Sequence, residues 1–257
     1  MHPILFKIGP VIIYSYGVMI AVAFLSSMYL INRSTQKADV SSEKVADLGL
    51  VFLISGIIGA RLLYVLTEIE YYRANPFEIV MIWKGGLVFY GGFILAFICG
   101  WVFLRRNKMP ILKTCDHIIP YLALGHAIGR VGCFLNGCCF GKPTNLPWGM
   151  IFPGGSIAGD IYPAMHIHPT QLYSVYTNFL IFAILLLLGN WKKFDGQILY
   201  LYFILYSISR FLIEFLRADN PQILLGLTIS QVICVVLFAT GVVMYIRGFF
   251  SSIWRKV

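Results

Sequence analysis

Gly129-Arg130-Val131-Gly132-Cys133-Phe134-Leu135-Asn136-Gly137-Cys138-Cys139-Phe140-Gly141 ends a long apolar segment on a permanently charged side chain. A guanidinium stays protonated at any biological pH. Placing one at the centre of a membrane helix costs about 2.5–3.5 kcal/mol on insertion scales. A chain that accepts this cost usually has an anion for the arginine to hold. Gly129, Gly132 and Gly137 open space around Arg130, and Asn136 supplies hydrogen bonds, so the run reads as a binding site at the end of a membrane helix.

The composition fixes the surroundings. Of 257 residues, 59% are hydrophobic and only 12% charged, against about 25% charged in a soluble domain. With a mean hydropathy of +0.80, no water-exposed surface can be built, and the chain is an integral membrane protein. Its apolar runs are continuous rather than alternating, which favours a helical bundle over a barrel. The net charge of +9 does not point to nucleic acid, because the basic residues form no single patch. Six scattered cysteines contain no C-x-x-C pair, so no disulfide framework is expected. Cys133, Cys138 and Cys139 could bind a metal, but no histidine spacing completes a ligand set; small apolar filler is the plainer reading, and neither metal nor cofactor is expected.

Seven segments read as spans, at roughly 11–31, 45–66, 87–104, 117–136, 172–190, 197–216 and 223–246. No cleavable leader is expected, since only Lys7 precedes the first span and no small-residue cleavage site follows it. Assigning the loops alternately gives five Lys and Arg on the N-terminal side and twelve on the other, with Arg61, Arg130 and Arg210 inside spans. The positive-inside rule places the richer side in the cytoplasm. The N-terminus is then outside, the C-terminus is cytoplasmic, and the loop near 137–171 lies on the outer face as irregular structure or a short amphipathic element. One transmembrane domain over 1–257 is the simplest organisation.

The costly polar groups gather toward the outer ends of the second, fourth and sixth spans. Arg61, Tyr64 and Glu68 recur at helical spacing behind Gly56, Gly59 and Ala60. His126 and Arg130 are four apart and share a face. Tyr206, Arg210, Glu214 and Arg217 make one polar stripe on an apolar cylinder. Lipid cannot solvate such stripes, so they face a bundle interior or a water-filled cavity. Arg210–Glu214 and Glu214–Arg217 could instead be internal ion pairs that stitch the bundle. Arginines on three helices at similar depth favour a basic cavity with an anionic lipid headgroup as occupant. Two flanking segments point the same way. In Trp83-Lys84-Gly85-Gly86-Leu87-Val88-Phe89-Tyr90-Gly91-Gly92, glycine pairs permit positive φ and close backbone approach, and Tyr90 offers a hydroxyl just inside the membrane unless it belongs to an interfacial aromatic belt. In His168-Pro169-Thr170-Gln171-Leu172-Tyr173, Pro169 starts a helix and Gln171 points inward, while His168 reads equally as a surface residue.

These segments together resemble the prolipoprotein diacylglyceryl transferase family. The glycine–arginine run is the most specific element, His-Pro-Thr-Gln-Leu-Tyr the next, and Ile8-Gly9-Pro10 and Tyr16-Gly17 extend the likeness to the start of the chain. The resemblance implies seven helices with the N-terminus outside, in the bacterial plasma (inner) membrane, and a site toward the periplasmic face. It implies transfer of the diacylglyceryl group of phosphatidylglycerol to the lipobox cysteine of a preprolipoprotein signal peptide, leaving a thioether and releasing glycerol phosphate. Arg130, Tyr16, Arg61, Gly86, Gly91, Gly92, Gly129, Gly132, Asn136, Gly137, His168, Gln171 and Arg217 would then contact substrate. Many members carry an acid–base His where Tyr90 stands, and a Glu where Ser174 follows the His-Pro segment.

In this reading the acceptor sulfur attacks the glycerol carbon that bears the phosphate ester. A thiol of pKa near 8.5 is only about 3% thiolate at pH 7, so full deprotonation is worth roughly 2 kcal/mol. Stabilising the phosphate leaving group in a site with little water matters more. Arg130 is the first choice for that, and Arg210, oriented by Glu214, the second, because guanidinium forks match phosphate oxygens. Tyr90 or His126 would steer the thiol or shuttle its proton. Two alternatives stand beside this one: a same-fold paralogue using another lipid or acceptor, and a transporter of an anionic solute. Transporters often show internal repeats and discontinuous helices, and neither is evident here.

Overall fold

The computed structural model describes residues 2–9, 11–35, 41–224 and 226–254. Pro10 of the Ile8-Gly9-Pro10 likeness, and Lys37, Arg255 and Lys256 of the charge count, lie outside them. Among the described residues, seven helices are long and apolar enough to cross a membrane: α1 Ser15–Thr35, α2 Ser42–Thr67, α4 Phe89–Arg106, α5 Ile111–Asn136, α7 Thr170–Gly189, α8 Gln197–Leu216 and α9 Ile229–Trp254. Short helices α3 (Ile69–Ala74) and α6 (Ile157–Ile161) and two 3-10 turns (Pro76–Val80, Ile82–Lys84) sit in the connections. Large apolar side chains such as Leu25, Ile54, Phe97, Leu187, Leu212 and Val236 are exposed on these helices. Water would not tolerate that surface; lipid does, because each helix satisfies its own backbone internally. The chain is a multi-pass membrane protein, as its composition requires.

Among the described residues, three small antiparallel two-stranded sheets complete the fold: β1 (Ile4–Ile8) with β2 (Val11–Tyr14), β3 (Met150–Ile151) with β4 (His166–Ile167), and β5 (Gln222–Leu224) with β6 (Leu227–Thr228). The first and last correct the expected spans. Val11–Tyr14 is a strand, so α1 begins at Ser15 rather than near residue 11; Val-Ile-Ile-Tyr is β-branched and aromatic, and an apolar run of that length does not separate strand from helix. Gln222–Leu224 and Leu227–Thr228 pair where the last span was expected to begin, and α9 starts six residues later than expected.

The chain divides into two compact units, residues 32–114 and residues 1–31 with 115–257. Within the first, α2 and α4 pack through glycine. A Cβ on Gly91 would fall on the carbonyl oxygen of Gly59, and one on Gly92 would lie 2.6 Å from the carbonyl oxygen of Gly56. No larger residue allows that approach. Within the second unit, α5, α7 and α8 share an apolar core of Ala123, Ile181, Leu185, Ile198 and Tyr202. The loop after α5 has its own core of Phe140, Phe152, Ala158 and Ile167, which orders a segment that carries little secondary structure. Asp116 on α5 accepts hydrogen bonds from the backbone N–H groups of Gly196 (2.7 Å) and Leu199 (2.9 Å) at the start of α8 and pairs with Lys192 at 2.9 Å.

Candidate functional site: arginines with donors to spare

The second unit collects most of the expected site residues. Arg130 lies less than two turns from the end of α5, and its Nε donates to Nε2 of His126 at 3.2 Å. That bond requires His126 to present a lone pair at Nε2, so this nitrogen holds the guanidinium and is not free to take a proton. Neither terminal nitrogen of Arg130 has a hydrogen-bond partner among the described residues. His126 in turn lies 5.5 Å, ring centre to ring centre, from Tyr206 on α8.

One turn beyond Tyr206, Nη2 of Arg210 pairs with Glu214 Oε2 at 2.9 Å and donates to Ser230 Oγ at 3.1 Å. Its Nη1 is buried without a hydrogen-bond partner among the described residues. Glu214 is itself almost sealed, and its Oε1 accepts from Asn220 Nδ2 (2.6 Å) and Thr228 Oγ1 (2.8 Å). The carboxylate thus fixes Arg210 from one side and leaves the other side of the fork unspent. A buried, unpaired donor on a cation is costly, which makes that nitrogen the strongest indication of a ligand in the molecule. Arg210 also lies within electrostatic reach of Arg130 and Arg217.

Arg217 is committed differently. Its Nε and Nη2 make paired bonds to Asp219 at 2.9 and 2.7 Å, with Glu214 Oε2 at 3.9 Å. Burial works against its charge, but the bonds to Asp219, followed by the nearby Cys139 and Glu214, hold its pKa above the usual arginine range. Asp219, Asn220, Thr228 and Ser230 were not found by periodicity, because they sit beyond the end of α8 or across the β5–β6 hairpin; the adjacent Asp219-Asn220 was the only available signal.

The loop after α5 is locked to α7 and to the end of α8. Gln171 Nε2 donates to the carbonyl of Cys138 and Thr170 Oγ1 to that of Cys139, both at 2.7 Å. Gln171 therefore points inward as expected, but its amide holds the loop. Gly141 lies where three segments meet: its N–H bonds the His168 carbonyl at 3.1 Å, and a Cβ there would lie 2.5 Å from His168 Cβ and 3.0 Å from the Leu216 oxygen. Gly137 takes φ +72° against Ser156. His168 Nδ1 is 3.2 Å from the Tyr173 hydroxyl, which accepts from Trp148 Nε1 at 2.9 Å, and partial burial lowers the His168 pKa below the usual histidine value.

Gly125, Gly129 and Gly132 form a stripe on α5 that faces α1. A Cβ on Gly132 would come within 3.0 Å of Met19 Cβ and 3.3 Å of the Tyr16 ring, and one on Gly129 within 3.5 Å of Ile20. These glycines bring α1 close rather than leaving open space, and so set Tyr16 within electrostatic reach of Arg130 and the three clustered cysteines. The side chain of Asn136 lies close to the Cys138 thiol. Between α8 and α9 an apolar cleft of about 260 Å³ is lined by Ile208, Phe211, Leu212, Val235 and Phe238.

The remaining expected residues belong to the other unit. Arg61 is buried, and its guanidinium donates to the carbonyls of Ile79 (2.8 Å), Gly85 (2.7 Å), Gly86 (3.2 Å) and Glu78 (2.5 Å) between the Tyr64 and Tyr72 rings. It anchors the segment 78–86. Gly86, at φ +74°, leaves no room for a Cβ beside Tyr64 and Arg61, while Gly91 and Gly92 are the packing glycines of α4. Tyr90 is half exposed in the first turn of α4, edge-on to Phe89.

Comparison with known proteins decides the family. The profile of prolipoprotein diacylglyceryl transferase matches residues 3–247. The chain belongs to this family. A phosphatidylglycerol–prolipoprotein diacylglyceryl transferase of Clostridium tetani is 34% identical over 245 residues, covering 95% of this chain and 97% of its own. That of Finegoldia magna is 36% identical over 248 residues, 96% of each chain, and that of Synechococcus elongatus 37% over 247 residues, 93% of this chain and 85% of its own. The diacylglyceryl transferase likeness thus runs through both units and includes every residue placed at the site.

Proposed function

We propose that this diacylglyceryl transferase relative moves the diacylglyceryl group of phosphatidylglycerol to the lipobox cysteine of a preprolipoprotein, at the outer face of a bacterial plasma membrane. The observation that carries the reading is the buried, unpartnered Nη1 of Arg210 within electrostatic reach of Arg130, whose two terminal nitrogens are also free of partners among the described residues. Two guanidiniums with unspent donors suit a phosphodiester, whose non-bridging oxygens gain charge as it becomes a leaving group.

In this mechanism Arg130 and Arg210 hold the phosphate. Glu214 fixes Arg210, and His126 fixes Arg130, so both are positioning residues rather than proton carriers. The acceptor thiolate forms the C–S bond, the C–O bond breaks, and the phosphate leaves with the electron pair as glycerol phosphate. Arg217, held by Asp219, adds positive potential without a direct contact. Arg61 shapes its own loop. The apolar cleft between α8 and α9 suits an acyl chain.

The test uses purified protein, phosphatidylglycerol labelled in its acyl chains, and a lipobox peptide. Label in a peptide thioether is the expected result. Label crossing the bilayer of proteoliposomes with no peptide product would show a transporter, and transfer to some other acceptor would show a paralogue; either overturns the reading.

A further inference from the structure

The sulfurs of Cys133, Cys138 and Cys139 lie within 4.8 Å of one another, and all three are free thiols. Cys138 and Cys139 are neighbours in the chain, and the turn that ends α5 brings Cys133 to them. The Cys138 N–H closes onto the Cys133 carbonyl at 3.2 Å, Gly137 takes φ +72°, and Cys139 takes φ +60°. A side chain in that left-handed region costs about 1–2 kcal/mol. Gln171 and Thr170 hold the Cys138 and Cys139 carbonyls in place, each at 2.7 Å. Arg130 and Arg217 act on Cys139, and Tyr16 lies within electrostatic reach of all three thiols.

We propose that Cys133, Cys138 and Cys139 form a three-thiolate site for a soft d10 cation, zinc above all, with a fourth position left open. At a Zn–S distance of about 2.3 Å, tetrahedral ligands lie roughly 3.8 Å apart, so side-chain rotation of about 1 Å closes the cluster on an ion. Thiolates select zinc or copper(I) over hard cations, and the two arginines balance the excess negative charge of three thiolates on a divalent ion. Three protein ligands with one open position is the arrangement of catalytic zinc. Resting on the transferase reading above, the open position suits the acceptor cysteine. A thiol that coordinates zinc is deprotonated outright; its proton goes to water, its sulfur lone pair attacks the glycerol carbon, and the phosphate departs with the C–O pair.

The experiment measures zinc in the purified full-length protein and the absorption spectrum after replacement by cobalt(II). About one zinc per chain is expected, with thiolate-to-cobalt charge-transfer bands that are lost in Cys138→Ser and Cys139→Ser. A Cys99→Ser/Cys115→Ser/Cys234→Ser variant, which keeps only the clustered thiols, retains both signals. Adding a lipobox peptide shifts the cobalt d–d bands, and the same peptide with Ser for its Cys does not. Absence of metal from the wild type together with no cobalt charge transfer, or a disulfide among these cysteines in the active protein, overturns the site. Transfer that proceeds while the Cys peptide leaves the cobalt spectrum unchanged overturns acceptor coordination. Metal uptake with the peptide-dependent shift but no diacylglyceryl transfer upholds the site and sinks the transferase reading alone.

Discussion

Arg61, Arg130, Arg210 and Arg217 look alike in the sequence, yet their partners give them different work. Arg61 spends four hydrogen bonds on carbonyls of residues 78–86, and Arg217 is paired with Asp219. Arg130 keeps both terminal nitrogens for a ligand and Arg210 a buried Nη1, whereas Arg217 has spent two of its three nitrogens on Asp219. Arg61→Lys should therefore lower thermal stability before it lowers affinity for lipid, since one ammonium cannot reach that set of carbonyls; melting and lipid titration of the purified variant separate the two effects. Tyr90→Phe should cost no more than about thirtyfold in transfer rate, because thiol activation is worth only roughly 2 kcal/mol. A larger loss in single-turnover measurements would make Tyr90 more than a proton acceptor. The arginines themselves were legible from the sequence as intramembrane charges. Their division of labour was not, because backbone carbonyls have no sequence signature and Asp219, Ser230 and Thr228 come from outside the helical stripe.

Helices carried the readable part of the fold. Seven apolar runs correspond to seven long helices among the described residues, with ends displaced where Val11–Tyr14, Gln222–Leu224 and Leu227–Thr228 are strands instead. Glycine was recognised as important but its purpose was hidden: Gly59 with Gly91 and Gly125–Gly132 set helix approach, which only the facing helix reveals. Gly91→Val should push α4 off α2 and cost several kcal/mol, as overpacking against backbone does, read as loss of the folded protein in detergent. Asp116 was overlooked as a polar residue near a span end, yet it caps the start of α8 and pairs with Lys192. Burial lowers the Lys192 pKa, but the bonds to Asp195 and Asp116 lift it above the usual lysine value. A raised folded pKa gives stability that is complete below the unfolded value, about 10.4, and is lost as pH rises through the folded one. The stability gap between wild type and Lys192→Met should accordingly be flat through neutral pH and close only in strong alkali.

At the scale of the molecule, the distribution of charge carries the topology. By the positive-inside rule, twelve Lys and Arg in the loops of one side against five in those of the other predict an N-terminus and a 137–169 loop on the outer face. Alkaline phosphatase fused within that loop should be active, and fused after Lys193 inactive; the reverse pattern would invert the protein. The residues with spare charge, the three thiols and the loop that holds them all belong to the unit of residues 1–31 and 115–257, so the proposed chemistry is built within one compact body. The most direct test is the rate of diacylglyceryl transfer by purified Arg130→Lys at saturating phosphatidylglycerol. Loss of a fork aimed at the leaving phosphate predicts a fall of about 10²–10³ with the protein still folded, whereas turnover near that of the wild type would contradict it.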